Sequence, residues 1–154
     1  MFLTQEELNT VIYDYQLEQI TEANPDITSL AIAASVEEMK GYLNPSGQRQ
    51  WKDGRPRYDT NAIFSAVGEN RNPLILELCK SISLYYICRL ANVDIIQERI
   101  TQRYDRAIDW LEKVAGVGKY AGAPGIAPDL PVESSEQAPS PIRFGSREKF
   151  NHEY

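Results

Sequence analysis

Residues 72–92 read NPLILELCKSISLYYICRLAN, and this stretch decides the fold. Asn72 before Pro73 is a strong helix start. The asparagine side chain can accept from the first free N–H groups, and proline at the first helical position gives up only an N–H that has no helical partner. Leu74, Ile75, Leu78, Ile82, Tyr85, Tyr86 and Leu90 follow. Apolar side chains cover nearly every face, which marks a central helix. Asn92 ends it. The stretch is also the most membrane-like in the chain, but Glu77, Lys80 and Arg89 lie within it. Each would cost about 2.5–3.5 kcal/mol at a bilayer centre. It reads as a buried helix of a soluble assembly, and no membrane partner is expected.

On its C-terminal side, a second long helix is expected from Val93 or Asp94 to Val114. Ile96, Ile100, Tyr104, Ala107, Ile108, Leu111 and Val114 form one apolar stripe at helical spacing. Charged residues cover much of the rest, with Asp109 and Lys113 as an i,i+4 pair. Gly116 and Gly118 supply stops. The segment Gly116-Val117-Gly118-Lys119 fails as a phosphate loop: the glycine spacing is wrong, no Ser or Thr follows the lysine, and a helix rather than a strand precedes it.

On the N-terminal side, Asn44-Pro45-Ser46-Gly47 closes a helix capped by Asp26 or Thr28 and ending near Leu43. Ile32, Val36, Met39 and Leu43 share one face, while Ala31, Ala33 and Ala34 leave room for a close neighbour. Asn24-Pro25 is a break. Thr4 and Glu7 form a capping box for a short helix reaching about Tyr13, and Asp14 to Thr21 continues it or forms another. Residues 44–72 make a long connection with a short helix at Asn61–Val67, a length that is uncommon unless functional. No alternating strand pattern or internal repeat occurs before Ala115. The fold class is all-α: a small bundle of four to five helices built on a long helical hairpin.

The chain has 154 residues, 42% hydrophobic and 25% charged, with net charge −6. That is one ordinary domain. Five of its nine prolines and five of its nine glycines follow Ala115. The expected organisation is a helical domain over 1–115 and an extended Pro/Gly-rich arm over 116–154. The arm has too little apolar surface to fold alone and reads either as a disordered tail or, because it ends in Ile142, Phe144, Phe150 and Tyr154, as an arm that docks on a neighbour, which is the reading preferred. The first residues, Met1 to Leu8, lack a basic stretch and a long apolar run, so no secretory signal is expected.

Catalytic chemistry has little to work with. His152 is the single histidine, so a histidine metal site or a Ser/His/Asp triad would depend on the arm. Cys79 and Cys88 differ by about 900° of helix rotation and about 13 Å of rise, too far for a disulfide; both read as small buried residues. Glu37 and Glu38 diverge by about 100° and read as a solvated helix face. No catalytic, cofactor-binding or metal-binding residue is assigned, and no cofactor is expected. Candidate partner contacts are Arg49, Trp51, Lys52, Arg55, Arg57 and Tyr58 in the long connection, with Ile142, Arg143, Phe144, Phe150 and Tyr154 in the arm. The basic stretch reads as a solvated loop or as a contact, since basic residues interleaved with aromatics can hold nucleic acid or anchor a protein interface.

Several pieces, in order, carry a resemblance: LTQEEL at 3–8, Gly41-Tyr42-Leu43, NPLIL at 72–76, SLYYICR at 83–89, ERITQRYDRAIDWL at 98–111 and Pro128-Asp129-Leu130-Pro131. Over residues 2–132 the chain resembles the Mu-like phage head-tail connector family. Two departures are the long connection after Leu43 and the length beyond Glu133. The resemblance implies a non-enzymatic virion protein of the neck, made in the bacterial host cytoplasm. It implies a ring adaptor, usually of twelve copies, bound to the portal and to tail-side neck or tail proteins. Genomic DNA passes through such a ring during ejection without sequence-specific binding. A net negative subunit suits that channel, because phosphate is repelled rather than held. The rival reading is a small helical nucleic-acid-binding module using residues 49–57; overall acidity argues against it.

Overall fold

The computed structural model describes residues 1–44, 56–91, 97–121 and 125–133. Among them the protein is all-α. A 3-10 turn at Glu6–Thr10 leads into α1 (Asp14–Thr21), α2 (Pro25–Leu43), α3 (Thr60–Ser65), α4 (Pro73–Leu90) and α5 (Glu98–Ala115). The α4 helix packs most extensively on α2 and next on α5, and α2 also touches α5. The expected bundle is thus present among the described residues, with α4 and α5 as its hairpin and α2 packed on both.

Both α2 and α4 start with the same Asn-Pro device. Asn72 Oδ1 accepts from the N–H groups of Leu74 (3.0 Å) and Ile75 (3.1 Å). Asn24 Oδ1 accepts from the Asp26 N–H at 3.0 Å. The cap of α2 is therefore Asn24, not Asp26 or Thr28. Pro25 occupies the first helical position and needs no partner for its nitrogen. Before it, Glu22 and Ala23 turn the chain through positive φ (51° and 58°).

The α5 helix starts later than Val93 or Asp94. Gln97 is extended (φ −57°, ψ 134°), so helical geometry begins at Glu98. It ends at Gly116, whose φ of 59° lies in the left-handed region that favours glycine. The N-terminal turn is also shorter than expected and is 3-10. Glu7 does reach back to the Thr4 N–H (3.0 Å), but the Thr4 hydroxyl donates to that carboxylate instead of capping.

Small residues set the α2–α4 approach. Ala31 and Ser35 on α2 and Cys79 and Ser83 on α4 are buried; Ala33 is exposed. The Ser35 hydroxyl lies 2.7 Å from that of Ser83 and 2.8 Å from the Ile32 carbonyl. The buried hydroxyls thereby satisfy one another, and leaving either unpaired would cost about 1–3 kcal/mol. Cys79 and Cys88 are both free and buried, and burial pushes both thiols up.

The core extends past residue 115, where composition placed its end. Leu130 is buried in the same cluster as Leu43, Tyr58, Ile75 and Leu111, and Ile126 packs against it. The segment is pinned to α5 by the Gly125 N–H, which donates to the Lys113 carbonyl at 3.1 Å. Among the described residues the only β pairing is an isolated antiparallel bridge, Tyr58 with Val132.

Two polar ties hold the N-terminus. Arg71 Nη1 donates to Glu7 Oε2 (2.9 Å) and to the Phe2 carbonyl (2.7 Å), Nη2 donates to Glu7 Oε1, and Nε donates to the Gly68 carbonyl (3.0 Å). That guanidinium holds the Glu7 carboxyl at about 2. Buried Lys80 on α4 donates to the Thr10 hydroxyl at 3.0 Å. Phe2 also meets Phe64 edge-on, with ring centroids 5.1 Å apart.

Candidate partner-contact surfaces

The two sequence segments singled out for partner contact share one root. Asn44 closes α2 at the head of the long connection. Its amide donates to Glu133 Oε1 at 2.7 Å. The Glu133 N–H donates to the Arg57 carbonyl (2.8 Å), and the Asp59 N–H donates to the Pro131 carbonyl (2.8 Å). The Arg57 guanidinium lies 3.9 Å from the Glu133 carboxylate. The long connection thus departs and returns beside the point where the chain leaves for its C-terminal segment.

Of the candidate contacts, Arg57 and Tyr58 fall within the described residues. Arg57 is exposed and faces Glu133. Tyr58 is only 3% exposed and belongs to the core. It is therefore a structural anchor, and its ring is not available to a partner. Burial pushes its phenol up. Arg49, Trp51, Lys52, Arg55, Ile142, Arg143, Phe144, Phe150 and Tyr154 lie outside the described residues.

The pair Glu37 and Glu38 separates as the helix rotation requires, but only one is solvated. Glu37 is exposed and pairs with Lys40 at 2.7 Å. Glu38 turns inward: Oε1 accepts from the Tyr104 hydroxyl at 3.0 Å, and Oε2 is buried without a hydrogen-bond partner among the described residues. Tyr104 stacks on Tyr85 with centroids 4.1 Å apart. Burial, reinforced by the Glu38 charge, pushes the phenols of Tyr42, Tyr86 and Tyr104 up. The Arg89 guanidinium lies 5.9 Å from the Tyr85 ring centroid. The cluster ties α2, α4 and α5 together.

The Gly116–Lys119 segment terminates a helix. Asp109 accepts from Lys113 (2.7 Å), from Lys119 and from the Tyr120 hydroxyl (3.0 Å). Those donors hold its carboxyl well below the usual range, Lys113 and Lys119 first. Lys119 faces the carboxylate of its own chain.

One surface was missed by sequence reading. A groove of about 550 Å³ opens between α1 and α5, floored by Ile12, Ile20 and Leu84 and walled by Arg99 and Arg103. Tyr13 stands at its edge and stacks on Tyr15 (centroids 5.8 Å, interplanar angle 15°); both rings are about two-thirds exposed. The available signal was Arg99, Arg103 and Arg106 at i, i+4 and i+7, a basic stripe within what looked like a mixed polar face.

Among the described residues, no His, Cys, Asp and Glu side chains gather as a metal site, and no helix is long and apolar enough to cross a membrane. Comparison with family models, curated proteins and solved structures finds no match.

Proposed function

We propose that the chain is a structural subunit of a phage head–tail connector. In this reading, copies form a ring, twelve where they follow portal symmetry, that sits beneath the portal and receives tail-side neck proteins. Genomic DNA crosses the lumen without sequence-specific binding. The ordered motifs between residues 3 and 131 suggest the reading. The structural observation that supports it best is the shared root of the two contact segments at Asn44, Arg57 and Glu133. A compact helical wedge with two segments leaving from one place suits a subunit that must reach beyond its own body. The negative net charge suits a surface that duplex DNA slides past. The rival nucleic-acid module gains nothing here, because Arg57 of its basic stretch already faces Glu133.

The test is electron microscopy of the purified full chain, alone and mixed with the portal protein of its own genome. Closed rings, or density added to portal particles, are expected. A chain that stays monomeric and never co-purifies with portal overturns the reading.

A further inference from the structure

A ring needs a contact that one copy makes with the next. We propose that the groove between α1 and α5 receives the acidic face of α1 from an adjacent copy, in a head-to-tail contact. This deepens the connector reading and rests on it for the ring, while the contact itself is argued from charge and geometry.

Among the described residues, Arg99 and Arg103 have no carboxylate partner. Among the described residues, Lys40, Arg57, Arg71, Lys113 and Lys119 each have a carboxylate within 4.0 Å. Arg99 and Arg103 have none; nor does Arg106 on the same helix, while Lys80 donates to the Thr10 hydroxyl and Arg89 lies beside the Tyr85 and Tyr86 rings, so on α5 the three unpaired arginines fall at i, i+4 and i+7. Two guanidinium groups one turn apart beside a concave surface suit a pair of carboxylates from elsewhere.

The chain carries a matching element. On α1, Glu18 is exposed, and exposed Glu22 follows at i+4 just past the helix end; exposed Asp14, a turn earlier, accepts from Asn9 at 2.9 Å. Four helical residues rise about 6 Å, so the carboxylate pair and the arginine pair have the same pitch. They cannot meet within one copy. Gln16, Gln19 and Ile20 are the α1 residues facing the groove. At about 100° per residue, Glu18 lies roughly opposite to them, whereas Asp14 is held by the groove-lining Asn9 at 2.9 Å. The ridge of one molecule can fill only the groove of another.

Each copy then offers one groove and one ridge, which are different patches. That is a heterologous interface, and repeating it yields a closed ring or an open filament. The stacked Tyr13 and Tyr15 add rigid, exposed aromatic area at the groove edge, the kind of side chain that anchors interfaces.

The experiment is a charge swap in the full chain, read by native mass spectrometry and light scattering at low and high salt. R99E/R103E alone and E18K/E22K alone should each weaken self-association at least about tenfold, since each sets like charges together. Their equimolar mixture should restore assembly, because every contact is again between opposite charges. The quadruple variant should restore it too. Circular dichroism checks that each variant keeps the wild-type helix content, and rescue in the mixture shows that both variants are folded. If rings form but neither reversal weakens them, or if the mixture fails to rescue, the interface lies elsewhere and the connector reading survives. If the arginine reversal instead abolishes binding of duplex DNA and leaves assembly unchanged, the groove serves nucleic acid and the proposal is overturned. If the wild-type chain is monomeric both alone and with portal, both readings fall.

Discussion

The tie between Glu7 and Arg71 makes the acid side of the stability curve predictable. An ordinary glutamate titrates near 4.5; here the Arg71 hydrogen bonds hold the group at about 2. At about 1.4 kcal/mol per tenfold change, that displacement is worth at most ~3.4 kcal/mol. The Glu7 and Arg71 side chains are 29% and 12% exposed, and solvent screening brings the expected value to about 1–2 kcal/mol. The sign follows from a lowered folded-state value. The stabilisation is complete above about pH 4.5 and is lost as pH falls toward 2. E7Q keeps the shape and removes the charge. At pH 7 it should be about 1–2 kcal/mol less stable than wild type, a drop of roughly 2–8 °C in Tm at about 2–4 °C per kcal/mol for a chain of this size. The gap should close between pH 4.5 and 2, because wild type loses there what E7Q never had. Urea unfolding followed by circular dichroism at several pH values measures both. Equal stability at pH 7, or a gap that persists unchanged at pH 2, would refute the assignment of Arg71 as the cause.

Three further outcomes are expected. Leu130→Ala should cost about 2–3 kcal/mol in urea unfolding, and truncation after Ala115 should lower Tm markedly, whereas truncation after Glu133 should leave helix content intact; an unaffected Ala115 truncation would return the domain boundary to residue 115. Gly116→Ala should cost about 1 kcal/mol through its positive φ, visible as a fall of a few degrees in the thermal melt; no change would mean the α5 terminus relaxes freely. Cys79 and Cys88, buried with raised thiols, should react with an aromatic disulfide reagent at least about 100-fold more slowly in the native protein than in denaturant; fast native labelling would show that the α2–α4 seam opens readily.

What could be read from sequence was what is written locally. Asn72-Pro73, the all-round apolar α4, the stripe of α5 and the Gly116 stop each depend on residues within a turn or two of each other. The start of α2 was legible by the same signal, since Asn24-Pro25 repeats Asn72-Pro73, but Asp26 and Thr28 are also good caps and compete for the role. Leu130 was not legible. It sits among prolines with no periodicity, and its burial comes entirely from contacts with distant parts of the chain. Tyr58 had the same difficulty: in sequence it stands beside arginines, and in space its ring belongs to the core. Glu38 looked like half of a solvated pair because helix rotation separates it from Glu37 without saying which of them turns inward. That is settled by Tyr104, sixty-six residues away.

The distribution of charge connects the two proposals. A chain with six excess acids could spread them evenly and leave every base paired. Among the described residues, the Lys and Arg residues around Glu7, Glu37, Asp109 and Glu133 are neutralised at home, whereas Arg99, Arg103 and Arg106, on one face of α5, have no carboxylate within 4.0 Å. If that face is covered by the acidic ridge of the next copy, assembly takes a basic stripe off the accessible surface and leaves a ring that keeps the negative net charge of its subunits. Such a ring repels phosphate along its lumen while its subunits attract one another at the groove. The two effects respond alike to ionic strength, because both act between partly exposed charges and are screened over about 10 Å at 0.1 M salt. Raising salt should therefore loosen the ring and weaken its repulsion of DNA together, whereas a ring held by apolar packing would keep its stoichiometry as the repulsion faded.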